Sequence, residues 1–131
     1  MRKIVIPTDF SENAFNALKF AAELFKYEKS EFYLLHAYAD EVYNTEGLLT
    51  QDFLDEFKET SRKNTVEELE KTKTEILNLF PNPKHSFHTV PAFGLLIDEV
   101  NDIVERENAD IIVTATRGKT NDRKMTFGSN T

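Results

Sequence analysis

The 131-residue sequence predicts an α/β domain, an open parallel sheet with helices on both faces. Two observations lead there. Short runs rich in β-branched and aromatic residues alternate with longer segments whose apolar residues recur every three or four positions. The short runs are also continuously apolar, as strands covered on both faces require. No Pro/Gly-rich break, repeat or low-complexity stretch divides the chain, so one domain is expected over residues 1–131.

Ile4-Val5-Ile6 reads as the first buried strand and ends at Pro7-Thr8-Asp9. Ser11 then offers a helix N-cap, with Glu12 in the favourable first turn. Ala14, Leu18, Ala21 and Phe25 form one helical stripe behind it. Phe32 to Ala39 reads as the second strand, and residues 40–47 as a polar connection.

Residues 48–80 are helical in character. Leu49, Phe53 and Phe57 make one stripe; Val66, Leu69, Ile76 and Phe80 make a looser second one. The weak patch from Ser61 to Thr65 predicts one bent helix or two. Charge pairs such as Glu59–Lys63 and Glu67–Lys71 describe a solvated face. Pro81-Asn82-Pro83 stops the helix.

His85 to Pro91 is a more polar strand, and Pro91 points to a sheet edge because it cannot donate to a ladder. Leu96, Val100, Ile103 and Val104 mark another helix, ending near Asn108. Asp110 to Ala115 is a fourth, buried strand. A basic loop follows.

Sixteen basic and 23 acidic residues give a net charge of −7, which argues against nucleic acid as the main partner. Residues 117–124 run against that balance, with four bases and one acid. There is no cysteine, so disulfide and thiolate chemistry are excluded and a reducing, cytoplasmic setting is expected. The apolar part of the N-terminus is too short for a signal peptide. No run of about 18 apolar residues exists, so no membrane is expected.

Ligands of an open parallel sheet sit beyond the carboxyl ends of the strands. Here that rim comprises Pro7-Thr8-Asp9, the residues from Ala37 to Asp40, and those from Thr114 to Gly118. Glycine is scarce, four residues where average usage would give roughly nine, yet two of the four fall in the last 14 positions. A basic, glycine-punctuated loop there either presents backbone N–H groups to phosphates or simply turns in solvent. His36 reads as a satisfied core histidine. His85 and His88, three apart in one strand, point to opposite faces and read as surface or edge residues that share no metal. No nucleophile has an evident base beside it, and none of the common phosphate-loop, dinucleotide or hydrolase motifs occurs.

The C-terminal spacing is more specific. Ala115-Thr116-Arg117-Gly118, nine residues, then Gly128-Ser129 resembles the ATP-binding signature of universal stress proteins: glycine, two residues, glycine, nine residues, glycine, serine or threonine. Ile4 to Glu12 with Ala14, Ala17 and Leu18 resembles that family's first strand and helix. Leu34-Leu35-His36-Ala37 resembles its second strand and Ala109 to Val113 its fourth, so the likeness covers the whole chain.

The resemblance implies a Rossmann-like sheet of the adenine nucleotide α-hydrolase type, strand order 3-2-1-4. It implies ATP or another adenine nucleotide as ligand, with or without a magnesium ion. Pro7, Thr8 and Asp9 would line the adenosine end, and Ala37 would lie against adenine. Thr114 and Ala115 would border the ribose. Gly118, Gly128 and Ser129 would hold the phosphates, with charge from Arg117. It further implies a cytoplasmic stress-response module that is a homodimer or half of a tandem pair, with at most slow ATP hydrolysis.

The sequence departs from the signature at its first glycine, which is Ala115. If that glycine serves close approach, one methyl is tolerated; if it serves a positive φ, alanine is strained. Family domains continue with a helix and a final strand, and the expectation is that both are absent here, leaving residues 110–115 as an unpaired edge. The alternative is therefore a member that binds no nucleotide and works as an interaction or dimerisation module. A phospho-receiver domain is disfavoured, because the first strand ends in one acid, Asp9, and no aspartate ends the third.

Overall fold

The computed structural model describes residues 1–38, 51–115 and 125–129, with backbone alone for 51–54 and 125–129. Its elements in chain order are β1 (Arg2–Pro7), α1 (Glu12–Leu24), β2 (Ser30–Ala37), α2 (Gln51–Leu79), β3 (His85–Ala92), α3 (Leu96–Glu107), β4 (Ile111–Ala115) and β5 (Met125–Ser129). The strands form one sheet in the order β3-β2-β1-β4-β5.

The 3-2-1-4 part is parallel throughout. β1 lies at the centre, with Ile4 opposite Phe32 of β2 and Ile111 of β4. β3 is the outer strand beside β2, with Pro91 opposite His36, so its missing N–H falls at a sheet edge as expected. From β1 through β3 the chain steps one way across the sheet; from β3 to β4 it returns past β2 and β1. Right-handed crossovers then put α1 and α2 on one face and α3 on the other.

Two cores result. Ile4, Ile6, Phe32 and Leu34 pack under α1 and α2 with Leu18, Leu69 and Ile76. Val5, Tyr33 and Leu35 point the other way, toward Ile103 and Val104 of α3. The alternation of Ile4, Val5 and Ile6 between two covered faces explains why that run has no polar member.

α1 begins as the sequence predicts. The hydroxyl oxygen of Ser11 accepts the Ala14 N–H at 3.1 Å, and Ala14, Leu18, Ala21 and Phe25 are all buried. α2 is a single helix. Ser61 and Thr65 are buried in line with Leu69, four residues apart, so the weak patch is the helix's inward stripe. Small side chains there let the helix approach the sheet. Leu49 lies outside the described residues. α3 ends at Asn108, which takes the left-handed conformation (φ 57°) common for asparagine at a helix end.

The expected unpaired edge of β4 is corrected. β5 pairs antiparallel with β4, from Ile111 opposite Ser129 to Ala115 opposite Met125. The edge of β4 is therefore covered, which satisfies the backbone of its apolar run Ile111-Ile112-Val113. His85 is a second correction: it is buried, packed edge-on against Phe32 with ring centroids 4.9 Å apart. Its Nε2–H donates to the Phe25 carbonyl at 2.8 Å, which satisfies one of the two ring nitrogens. His88 is exposed, as expected. No helix among the described residues is long and apolar enough to cross a membrane.

Candidate functional site

The order of the strands reverses direction at β1, whose neighbours β2 and β4 are reached from opposite sides. Such a point opens a crevice at the carboxyl ends of the strands. Here it holds a cleft of about 400 Å³, within the usual size range of small-molecule sites.

One wall is the turn from β1 into α1. Thr8 donates its N–H to the Leu35 carbonyl at 2.8 Å, continuing the β1–β2 ladder. Its hydroxyl oxygen accepts the Phe10 N–H at 3.0 Å, and Asp9 Oδ1 accepts the Ser11 N–H at 3.0 Å. These side-chain bonds close a tight turn in which Phe10 takes φ 65°, an uncommon value for a bulky residue. The N-terminus of α1 follows directly, and its first turn contributes Ser11, Asn13 and Ala14 to the lining.

The second wall is the end of β2. His36 Nδ1–H donates to the Thr8 carbonyl at 2.8 Å, and its ring lies 4.6 Å from that of Phe10. Ala37 continues this wall. Behind it Tyr38 is buried against Phe93, ring centroids 5.6 Å apart, and burial raises its hydroxyl pKa above the ordinary value. Thr114 and Ala115 close the third side, and Leu96 of α3 overhangs it.

Six of the residues predicted from sequence thus meet in one cleft: Pro7, Thr8, Asp9, Ala37, Thr114 and Ala115. Arg117 and Gly118 lie outside the described residues. Gly128 and Ser129 are not brought to the cleft. They stand opposite Ile112 and Ile111, so β5 carries them roughly 10–13 Å down β4 from Ala115. Antiparallel pairing brings Met125 to the rim instead.

Ala115 itself lies in extended β4 and is not among the residues with positive φ. The alanine is unstrained, and the substitution for glycine amounts to one methyl on the cleft wall. His36 corrects a further expectation, being half-buried on the cleft rather than in the core. Asn13 and Leu96 carry no sequence signal for a site. Asp9 is the one charged residue among the described lining, and no three metal-binding side chains converge among the described residues.

A family model of the universal stress protein family matches residues 1–131. The chain belongs to the universal stress protein family. It is 26% identical to universal stress protein MJ0577 of Methanocaldococcus jannaschii over 98% of this chain and 84% of that one. It is 30% identical to universal stress protein MJ0531 of the same organism, over 98% of this chain and 72% of that one. The solved structure of MJ0577 superposes with a TM-score of 0.71 at 30% identity, covering 92% of this chain and 78% of the other. The cleft described above therefore sits on the four-stranded 3-2-1-4 core of a universal stress protein.

Proposed function

We propose that this universal stress protein binds ATP or another adenine nucleotide in the cleft between β1, β2 and β4, as a cytoplasmic stress-response module. The observation that carries the reading is the convergence of Pro7, Thr8, Asp9, Ala37, Thr114 and Ala115 on that one cleft. Its chemistry suits a nucleoside. Ala37 and Leu96 offer apolar surface to a base, and Asp9 offers a carboxylate to ribose hydroxyls. The first turn of α1 adds the positive end of a helix dipole.

Phosphates suit the chain just beyond Ala115, where Arg117 and Gly118 follow within two or three residues. Gly128 and Ser129 are left out of this reading, because β5 holds them well below the rim. A magnesium ion would be held mainly by the phosphates and water, with Asp9 the one carboxylate in the described lining. Binding rather than turnover is proposed, with at most slow hydrolysis. Calorimetric titration with ATP, adenosine and GTP tests it. Micromolar ATP affinity that falls at least tenfold in Asp9→Ala supports the reading; a folded protein that takes up no nucleotide sinks it.

The displacement of Gly128 and Ser129 from the rim favours a second reading, a dimerisation or interaction module that binds no nucleotide. β5 is an outer strand of the sheet and offers its backbone to another copy or a tandem partner domain. Sedimentation of the protein without nucleotide tests this, and a monomer at all concentrations argues against it.

A further inference from the structure

Phe10, in the turn from β1 into α1 that walls the cleft, holds a left-handed backbone. Its φ of 65° crowds Cβ against the backbone, and an aromatic residue rarely stays there. Such a conformation persists when its surroundings over-determine it, and it marks places where function needs a fixed geometry. Two side chains do that here. The Thr8 hydroxyl holds the Phe10 N–H from inside the turn, and His36 holds the turn from the neighbouring strand.

The His36 contact is specific in its proton. A carbonyl oxygen only accepts, so the 2.8 Å bond to Thr8 requires the hydrogen on Nδ1. The same ring lies tilted at 43° against Phe10 and lines the cleft. One imidazole therefore touches both ends of the three-residue turn that carries Asp9.

We propose that His36 is a positioning residue of the cleft: through its hydrogen bond to the Thr8 carbonyl it fixes the strained turn that presents Asp9 to the ligand. The inference rests on the nucleotide reading above for its ligand class, an adenine nucleotide. His36 acts on the ligand through Thr8, Asp9 and Phe10.

Two variants separate this role from simple packing. His36→Leu keeps apolar bulk and loses the donor. His36→Asn loses the ring and keeps an N–H donor near the place of Nδ1. ATP titration of both, with Tm and backbone chemical shifts of residues 8–10 measured without nucleotide, forms the test. In the wild type, imidazole nitrogen shifts should report the proton on Nδ1. His36→Leu should weaken ATP binding about tenfold, the size of one lost hydrogen-bonded constraint, with Tm lowered by only a few degrees. His36→Asn should bind within about threefold of wild type. The backbone shifts of Asp9 should move in the leucine variant and stay in the asparagine variant, whereas those of Phe10 move in both because both lose the ring packed against it. Wild-type affinity in His36→Leu, or equal losses in both variants, overturns the proposal. If the wild-type protein binds no ATP, the nucleotide reading fails. The positioning role then stands or falls on the ligand-free shifts, and unchanged Asp9 shifts in His36→Leu refute it.

Discussion

Asp110 and Lys3 clasp each other through two hydrogen bonds. The Lys3 N–H donates to Asp110 Oδ2 at 2.9 Å, and the Asp110 N–H donates to the Lys3 carbonyl at 2.8 Å. This pair starts the β1–β4 ladder and sets the register that brings Thr8 and Ala115 to the same rim. Asp110→Ala removes the side-chain half of the clasp at an exposed position. The expected loss is about 1 kcal/mol of unfolding free energy, read from urea titration, with little change in nucleotide affinity.

Ser11 serves the helix and the cleft at once. Its hydroxyl oxygen accepts the Ala14 N–H, and the residue lines the cavity. Ser11→Ala should cost about 1 kcal/mol, seen as a drop in Tm of a few degrees. Ser11→Asp restores a capping acceptor and should recover most of that stability. It also adds a second carboxylate beside Asp9, so a phosphate-bearing ligand should bind more weakly than to wild type while adenosine changes less.

Much of this arrangement is legible in the sequence because it follows local rules. The buried run Ile4-Val5-Ile6, the Ser11 cap and the α1 stripe each need only neighbouring residues to be read. The six-residue convergence at the cleft follows from strand ends alone. What escapes depends on long-range packing. Ser61 and Thr65 read as a break because polarity was the local signal, yet burial against the sheet makes them part of the helix's inward face. His85 reads as an edge residue, but the Phe25 carbonyl lies 60 positions away in sequence and nothing local announces it. β5 escapes because Gly128 and Ser129 carry a motif, while strand pairing was decided by the exposed edge of β4.

Tyr33 supplies a pH dependence. Its hydroxyl pKa is pushed up to about 12, chiefly by burial, with the charges of Glu31 and Glu107 adding to the effect. In the unfolded chain the same group titrates near 10. Above that pH the unfolded state loses its proton first, so stability contributed by the neutral phenol is intact below pH 10 and lost as pH rises toward 12. The fall should amount to a few kcal/mol at most at the upper end. Tyr33→Phe removes the ionisable group and should flatten that part of the stability profile. An unchanged slope in the phenylalanine variant would show that other groups carry it.

Leu96 overhangs the cleft while remaining 45% exposed. A base seated against Ala37 would cover part of that surface, so Leu96 should contribute apolar contact to the bound ligand and almost nothing to the free protein. Leu96→Ala should leave Tm within a few degrees of wild type and weaken adenosine and ATP equally, by about threefold to tenfold. Equal loss for both ligands is the discriminating result, since it assigns the contact to the base.

Ala115 decides what the missing first glycine means. Its backbone is extended, so glycine there would gain no conformational relief and would loosen β4. Ala115→Gly should lower stability by about 0.5–1 kcal/mol and change ATP affinity by less than about threefold. Enlarging the side chain acts on the other variable. Ala115→Leu fills the cleft wall beside Thr114 and should reduce nucleotide affinity at least tenfold through steric exclusion. If Ala115→Gly instead binds ATP more than tenfold more tightly than wild type, the single methyl is the obstacle to the ligand. The natural alanine would then tune this cleft toward weak binding, and the interaction-module reading would gain the ground that the nucleotide reading loses.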